Sequence, residues 1–252
     1  MLLELTGVSR RFGGLAAVAD LSMTVTQGTV HGLIGPNGAG KSTVFNLVSG
    51  VLPLTAGEIR FRDERISGLA PADICRRGIA RTFQATTVFR EYTVRQNLLV
   101  AGQPRVNDGT LAALLRIPDY RQREAAAFAR AAELLRVLQL DGIAERMVAG
   151  LPHRDQKALS VGMALATGAS LLLLDEPLAG LTLQETREVM DLLRAVRDGG
   201  ATVLLVEHDM RAVMDLCDQI TVLDHGTRIA EGTPREIQSD PAVIEAYLGA
   251  EA

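Results

Sequence analysis

The chain has 252 residues, 47% of them hydrophobic, enough for one substantial core with or without a subdomain. A net charge of −4 provides no global attraction to nucleic acid or anionic lipid. The two cysteines, Cys75 and Cys217, are far apart and lack metal-ligand spacing, which indicates a reducing compartment rather than a disulfide framework.

The N-terminal half begins with β-type patterns. Alternating or β-branched runs broken by glycines predict strands in LLELTGVSRRF and AADLSMTVTQGTVHGLIG. The last of these, Val30–Gly35, is a short buried strand that leads into a Gly-rich loop. A helix is then predicted over KSTVFNLVSG, ending at Gly50, and a strand pair over EIRFRDERI.

A helical insert is predicted over about residues 88–160, within a single domain that spans residues 1–252. Pro118 and Asp119 mark the start of a helix rich in Ala, Leu and Arg. Four apolar residues share one helical face, which predicts ordinary packing; they are Phe128, Ala131, Leu135 and Leu138.

The α/β pattern then resumes. Strands are predicted in SLLLLDEP and ATVLLVEHD, with helices in TLQETREVMDLLRAVRDGG and MRAVMDLCD. A closing hairpin is predicted around His225–Gly226, and one final helix from Pro234 to Leu248. Strands that alternate with helices predict an α/β fold with a largely parallel, helix-covered sheet.

No membrane-crossing or targeting segment is predicted. The N-terminus lacks a basic region followed by an apolar one, so we expect no signal peptide. The longest aliphatic run, Leu171–Leu174, is far too short to span a bilayer. We therefore expect a cytosolic protein whose membrane role, if any, is peripheral.

The segment GPNGAGKST matches the P-loop pattern between a predicted strand and a predicted helix. Glycines let backbone N–H groups point at phosphates, and the helix adds its positive N-terminal end. Lys41 would reach the β- and γ-phosphates, and Ser42 would bind Mg²⁺. The predicted nucleotide-binding residues are Gly35, Pro36, Asn37, Gly38, Ala39, Gly40, Lys41, Ser42 and Thr43.

The segment LLLLDEP supplies acidic residues at the carboxyl end of a buried strand, where open α/β sheets bind ligands. Asp175 suits the Mg²⁺ shell, and Glu176 suits a base that polarises the attacking water. A helix-capping acidic pair before Pro177 is the alternative. Gln84 and His208 each lie at a predicted element boundary, where polar residues often serve only as hydrogen-bonding groups.

The order GPNGAGKST, RTFQ, LLLLDEP, VEHD resembles the ATP-binding cassette (ABC) family over essentially the whole chain. The segments RRFGGLAAV, VLLVEHDM and IAEGTPREIQSDPAVIEAYLG are similar to the LivG-type ATPase subunits of branched-chain amino acid, urea and amide importers. This resemblance implies a P-loop NTPase with a RecA-like core, an N-terminal antiparallel β subdomain and a helical insert.

The resemblance also implies residue roles. Phe12 would stack on adenine, and Gln84 would link Mg²⁺ and water to the membrane subunit. Glu176 would be the catalytic base, and His208 would contact the γ-phosphate. ATP and Mg²⁺ would bind, the latter through Ser42, Gln84 and Asp175. The helical insert would carry the signature segment and contact a permease, which works with an external substrate-binding protein.

The signature segment, Leu151–Gln156, departs from the family pattern L-S-x-G-x-Q. The resemblance implies a head-to-tail dimer in which each signature completes the partner's ATP site. Pro152 lacks both a hydroxyl and a backbone N–H, although it suits the first turn of a helix. Arg154 replaces Gly and would obstruct close approach, bind phosphate directly or turn aside. Thr182 replaces a common Asp or Asn but can still hydrogen-bond.

These features favour an ATP-hydrolysing importer subunit in an asymmetric heterodimer with a LivF-like partner rather than in a homodimer. The partner's site would then be the weakened one. Two other functions stay open: an ATP-dependent clamp or regulatory subunit with one poorly hydrolysing site, and a non-transport ABC protein, which usually carries two cassettes. Branched-chain amino acids are the default cargo by resemblance, with urea and short amides as alternatives.

Overall fold

The structure, a computed structural model, describes residues 1–82, 88–102 and 118–248. Its strands are β1 (Leu3–Phe12), β2 (Leu15–Val25), β3 (Val30–Ile34), β4 (Ala56–Phe61), β5 (Glu64–Arg65), β6 (Ile79–Arg81), β7 (Leu171–Asp175), β8 (Thr202–Val206), β9 (Gln219–Asp224) and β10 (Thr227–Gly232). Its helices are α1 (Lys41–Val48), α2 (Pro71–Arg77), α3 (Val94–Gly102), α4 (Pro118–Val137), α5 (His153–Ala166), α6 (Leu183–Asp198), α7 (Met210–Leu216), α8 (Pro234–Ser239) and α9 (Pro241–Leu248).

The described strands form two sheets. One is antiparallel, in the order β2-β1-β4-β5. The other has the order β10-β9-β3-β8-β7-β6, and all its neighbours are parallel except the β9–β10 hairpin. The predicted α/β fold, with a largely parallel sheet and a separate N-terminal antiparallel sheet, is confirmed.

The parallel sheet is buried on both faces. Leu172 and Leu174 of β7 join the core that contains α4, α5, α6 and α7. Leu171 and Leu173 join the other core, formed with α1 and the antiparallel sheet. This double burial explains why β7 reads as an unbroken leucine run instead of an alternating pattern.

Helices α3, α4 and α5 pack beside the sheet, between residues 94 and 166. Ala131 and Leu135 of α4 and Leu138, which directly follows it, are buried, as the helical stripe predicts. The expectation for Phe128 is wrong, because 45% of this residue is exposed. Gly162 lets α5 approach closely, since a Cβ there would lie 2.2 Å from Leu138 Cδ1.

The C-terminal region forms two helices, so the prediction of one continuous helix is wrong. Proline has no N–H to continue a helical hydrogen-bond ladder, and Pro241 therefore starts a new helix. Asp240 is extended between them, and its Oδ1 accepts from the N–H of Ala242 at 2.8 Å. Among the described helices, none has both the length and the apolarity required to cross a membrane.

Candidate functional site

Three adjacent parallel strands present the predicted site residues at one edge of the sheet. Strand β3 leads into the P-loop, β7 ends at Asp175, and β8 leads to Glu207 and His208. These strands are neighbours in the order β3-β8-β7. Their carboxyl ends therefore meet, and their loops surround one position.

The P-loop needs glycine where its backbone passes other main-chain groups. Gly35 has φ of +149°, and a Cβ there would lie 2.0 Å from the carbonyl oxygen of Leu223. Gly40 has φ of +103°, with the carbonyl oxygen of Ala17 only 2.5 Å from a hypothetical Cβ. Side chains at either position would force the loop away from the sheet.

Lys41, the first residue of α1, is buried against the loop that precedes it. Its Nζ donates to the carbonyl oxygens of Gly35 at 2.6 Å and Pro36 at 2.9 Å. Burial lowers the pKa of this ammonium, while the carboxylates of Glu176 and Asp175 act in the opposite direction. The positive charge is thus fixed between the loop and the two acidic residues.

An open cleft of about 410 Å³ lies over the loop, within the size range of ligand sites. Of the predicted residues, Asn37, Gly38, Ala39, Gly40, Lys41, Ser42, Thr43, Glu176 and His208 line this cleft. Sequence reasoning missed the other lining residues, which are Leu15, Ala16, Ala17, Val206 and His225. Four of these side chains are small or apolar, and neither they nor His225 match a phosphate-binding or metal-binding pattern.

Asp175 is 5% exposed and offers one unused carboxylate oxygen. Its Oδ2 accepts from Arg81 Nη2 at 3.1 Å, whereas its Oδ1 has no hydrogen-bond partner among the described residues. The described residues also contain no cluster of three or more His, Cys, Asp or Glu that could hold a metal. A buried carboxylate oxygen close enough to act on Lys41 of the phosphate loop fits Mg²⁺, which needs few protein ligands when phosphates and waters complete its shell.

Glu176 and His208 are in direct contact across the cleft. The His208 Nε2 atom lies 3.1 Å from the Glu176 Oε1 atom, within hydrogen-bond distance. The main chain of Glu176 has φ of +52°, and its N–H donates to the Val206 carbonyl oxygen at 2.9 Å. The structure therefore brings together two of the three predicted catalytic residues, and a water beside them could be polarised by the carboxylate.

Sequence reasoning missed Glu207 and Lys157. Glu207, 5% exposed, accepts from the N–H of Leu178 at 2.6 Å and of His208 at 3.1 Å. Lys157 on α5 donates from Nζ to the carbonyl oxygen of Glu176 at 2.9 Å. The acidic residue within VEHD was a visible signal, because a carboxylate at the end of a buried strand needs partners.

Four of the predicted residues that the structure describes are not among those that line the cleft: Gly35, Pro36, Asp175 and Phe12. Phe12 is half-exposed at the end of β1, with the Arg10 guanidinium 4.6 Å from its ring centroid. It pairs across the β1–β2 turn with Leu15, which does line the cleft. Gln84 lies outside the described residues. The adenine-stacking and Mg²⁺-linking roles of Phe12 and Gln84 stay predictions.

Pro152 fits the start of a helix, as predicted. It is the N-cap of α5, with φ of −55° and ψ of 154°, and its carbonyl oxygen accepts from the Gln156 N–H. Thr182 also hydrogen-bonds, as predicted. It caps α6, where its hydroxyl and backbone N–H both donate to the Glu185 carboxylate at 2.8 Å.

Arg154 is turned into the subunit and is 8% exposed. Its guanidinium contacts Gln139 Oε1 at 3.1 Å, Asp155 Oδ1 at 3.2 Å and Glu188 Oε2 at 3.3 Å. Of the three possibilities left open by the sequence, this geometry matches a side chain that turns aside. The other two, obstruction of close approach and direct contact with a partner's phosphate, do not match it.

Comparisons with known proteins find similar proteins over almost the whole chain. The family model described as ABC transporter matches residues 18–179, and that described as Branched-chain amino acid ATP-binding cassette transporter matches residues 227–252. The chain is 43% identical to the high-affinity branched-chain amino acid transport ATP-binding protein LivG of Salmonella typhimurium, and 42% identical to BraF of Pseudomonas aeruginosa, described in the same words; each match covers 98% of both chains. A crystal structure of an ABC transporter cassette in its ADP conformation superposes with a TM-score of 0.85 at 30% identity, over 98% of both chains.

Proposed function

Since this chain belongs to the ABC transporter family of ATP-binding proteins, we propose that it is the ATP-binding and ATP-hydrolysing subunit of a branched-chain amino acid importer. The observation that carries this proposal is that the P-loop, Glu176 and His208 line one cleft, with Asp175 at the end of the strand that leads to Glu176. A phosphate cradle alone would support nucleotide binding. A carboxylate held by a histidine beside that cradle supports hydrolysis.

Each residue has a role that its position supports. Backbone N–H groups of the P-loop and the Lys41 ammonium bind the phosphates. Ser42 and the free oxygen of Asp175 would hold Mg²⁺, which supplies charge neutralisation at the phosphates when it is bound. Glu176 accepts the proton of the attacking water, and His208 orients that carboxylate through their hydrogen bond.

The subunit works with a second ATPase subunit and with membrane permeases at the inner face of the cell membrane. In a head-to-tail dimer the N-terminus of α5 completes the partner's ATP site. Pro152 brings no hydroxyl and no N–H to that site, and loss of one such donor typically costs about 10²–10³ in rate. Because Arg154 is turned inward, it does not obstruct the approach of the partner. We therefore assign the weakness of the partner's site to Pro152. A LivF-like partner would carry the intact signature.

The cargo follows from the relatives, whose names specify branched-chain amino acids. In such an importer an external receptor and the permeases select the substrate, so urea and short amides are the competing cargoes. Uptake of labelled leucine, urea and acetamide by cells that carry the reconstituted system separates these cargoes.

An ATP-dependent clamp is the second candidate, and the absence of an N–H at Pro152 favours it. ATP hydrolysis by the full chain, with and without the co-expressed partner, distinguishes the two functions. We expect hydrolysis that requires the partner, disappears with Glu176→Gln and increases with Pro152→Ser. Tight ATP binding without turnover, unchanged by Glu176→Gln, would establish the clamp instead.

A further inference from the structure

Lysine is rare in this chain, and both of its lysines lie at the candidate site. Arginines supply all the other basic side chains among the 26 Lys and Arg residues. Lys41 belongs to the P-loop, and Lys157 lies on α5, five residues after Pro152. A compact ammonium on a flexible stem is chemically distinct from the broad, planar guanidinium that the chain uses elsewhere.

Lys157, on α5, contacts the main chain of Glu176. Its Nζ donates to the Glu176 carbonyl oxygen at 2.9 Å, and the side chain is half-buried. Burial lowers the pKa of this ammonium. The carboxylates of Glu207 and Glu176 act in the opposite direction and offset part of that lowering. One charged donor thus ties α5 to the residue that carries the catalytic carboxylate.

Glu207 fixes the same region from the other side. One carboxylate oxygen accepts from the N–H of Leu178, two residues after Glu176, and the other accepts from the N–H of His208. Both bonds lie in a buried place, where an N–H group left without an acceptor would be costly. The Glu207 carboxylate therefore holds the loop after β7 and the loop after β8 in one fixed arrangement.

We propose that Lys157 and Glu207 form a positioning pair, through which the position of α5 determines the positions of Glu176 and His208 in the same subunit. The inference rests on the proposed function, in which the N-terminus of α5 contacts the partner's nucleotide. Occupancy of the partner's site then alters the Glu176–His208 geometry of this subunit's own site. The pair acts through those two residues and does not itself touch ATP.

Turnover provides the first test, on the full chain in complex with its co-expressed partner. Lys157→Met keeps the stem and removes the donor, and Glu207→Gln removes the charge with little change in shape. For each variant we expect kcat to fall by about 10- to 100-fold, the worth of one charged hydrogen bond, with KM for ATP changed less than about threefold. Lys157→Arg, which keeps a charged donor, recovers most of the lost kcat.

Arg130→Met is the matched control, because Arg130 is exposed on α4 and pairs only with Glu133 among the described residues. It keeps the parent kcat. If Lys157→Met also keeps the parent kcat, or if its KM rises as much as its kcat falls, the pair does not position the base.

Hydrogen exchange supplies a readout that does not depend on turnover. In Lys157→Met we expect faster exchange, by about tenfold or more, in peptides that cover residues 176–181 and 207–209, with no change in α4. Unchanged exchange in both peptides overturns the positioning pair, even in a chain that hydrolyses ATP. Faster exchange there in a chain without ATP hydrolysis supports the pair and refutes only the proposed function.

Discussion

At the scale of single residues, Arg154 shows how a change in a motif can be absorbed by its surroundings. Its guanidinium lies between Gln139 at the end of α4 and Glu188 on α6. Both partners are remote in sequence, so no local pattern could predict the inward direction. The same limit applies to Lys157 and Glu207: the first contacts Glu176 only once α5 packs against the sheet edge, and the second contacts Leu178 only once β7 and β8 pair.

The buried guanidinium of Arg154 leads to a prediction about stability. Arg154→Gly, which restores the family residue, should lower the free energy of unfolding by about 2 kcal/mol, because it removes charged hydrogen bonds and packed methylenes together. Arg154→Met keeps most of the packing and should lose less. Urea denaturation of the three proteins measures the difference, and equal stability of Arg154→Gly and the parent would contradict the structural role.

This prediction affects how signature variants are tested. A double variant, Pro152→Ser with Arg154→Gly, combines a restored hydroxyl with a lost structural network. Its ATP hydrolysis should therefore be compared at a temperature where unfolding curves show both proteins to be folded. Pro152→Ser alone is the cleaner test of the missing donor.

At the scale of elements, the hydrophobic patterns predicted strands and helices well in two cases. These are strands buried on both faces and helices buried along one continuous face. Strands β7 and β8 each contain four consecutive apolar residues, and α6 follows a capping sequence. The pattern failed at Phe128, because helical spacing cannot show where a packed face ends. It also failed at Pro241, whose position after the extended Asp240 divides the final helix.

The start of α6 depends on Thr182. Its hydroxyl accepts from the Glu185 N–H at 3.3 Å, and the Glu185 carboxylate bonds back to the Thr182 N–H. Thr182→Ala should lower the free energy of unfolding by about 1 kcal/mol, the usual worth of an N-cap. Thr182→Asp, the residue common in the family, should stay within about 0.5 kcal/mol of the parent. Chemical denaturation tests both, and an Ala variant as stable as the parent would show that the cap does not matter here.

At the scale of the whole molecule, the site could be located from the sequence because the geometry of parallel sheets determines where the motifs lie. Parallel strands bring their carboxyl ends together, so a motif after β3 and another after β7 had to meet at one edge. Gln84 lies outside the described residues, and its role stays a prediction. The other residues that line the cleft lie on β2, at the end of β8 and in the β9–β10 turn, and their side chains do not match a phosphate-binding or metal-binding pattern.

Global stability should depend on pH through His31 in the centre of the parallel sheet. This residue is 1% exposed, its Nε2 lies 2.8 Å from Thr221 Oγ1, and burial lowers its pKa from 6.5 to about 4. Above pH 6.5 the histidine is neutral in both folded and unfolded chains. As pH falls from 6.5 toward 4, the unfolded chain binds a proton that the folded chain does not, so stability decreases, by about 2 kcal/mol at pH 5.

Denaturation of the parent and of His31→Gln at pH 7 and pH 5 isolates this contribution. The loss between the two pH values should be about 2 kcal/mol smaller in the variant, because glutamine does not titrate. Nuclear magnetic resonance of the parent provides an independent check: the imidazole of His31 should remain neutral down to near pH 4. An ordinary titration near pH 6.5 would contradict the prediction.

The left-handed backbone at Glu176 has an evolutionary consequence. A long side chain with φ of +52° is strained, and asparagine tolerates this conformation better than most residues. Glu176→Asn should therefore be more stable than Glu176→Gln by about 1 kcal/mol, although neither keeps the carboxylate. Selection for stability alone would favour asparagine at this position, and that substitution would abolish hydrolysis. A glutamate that persists here in descendants of the chain therefore indicates selection for turnover.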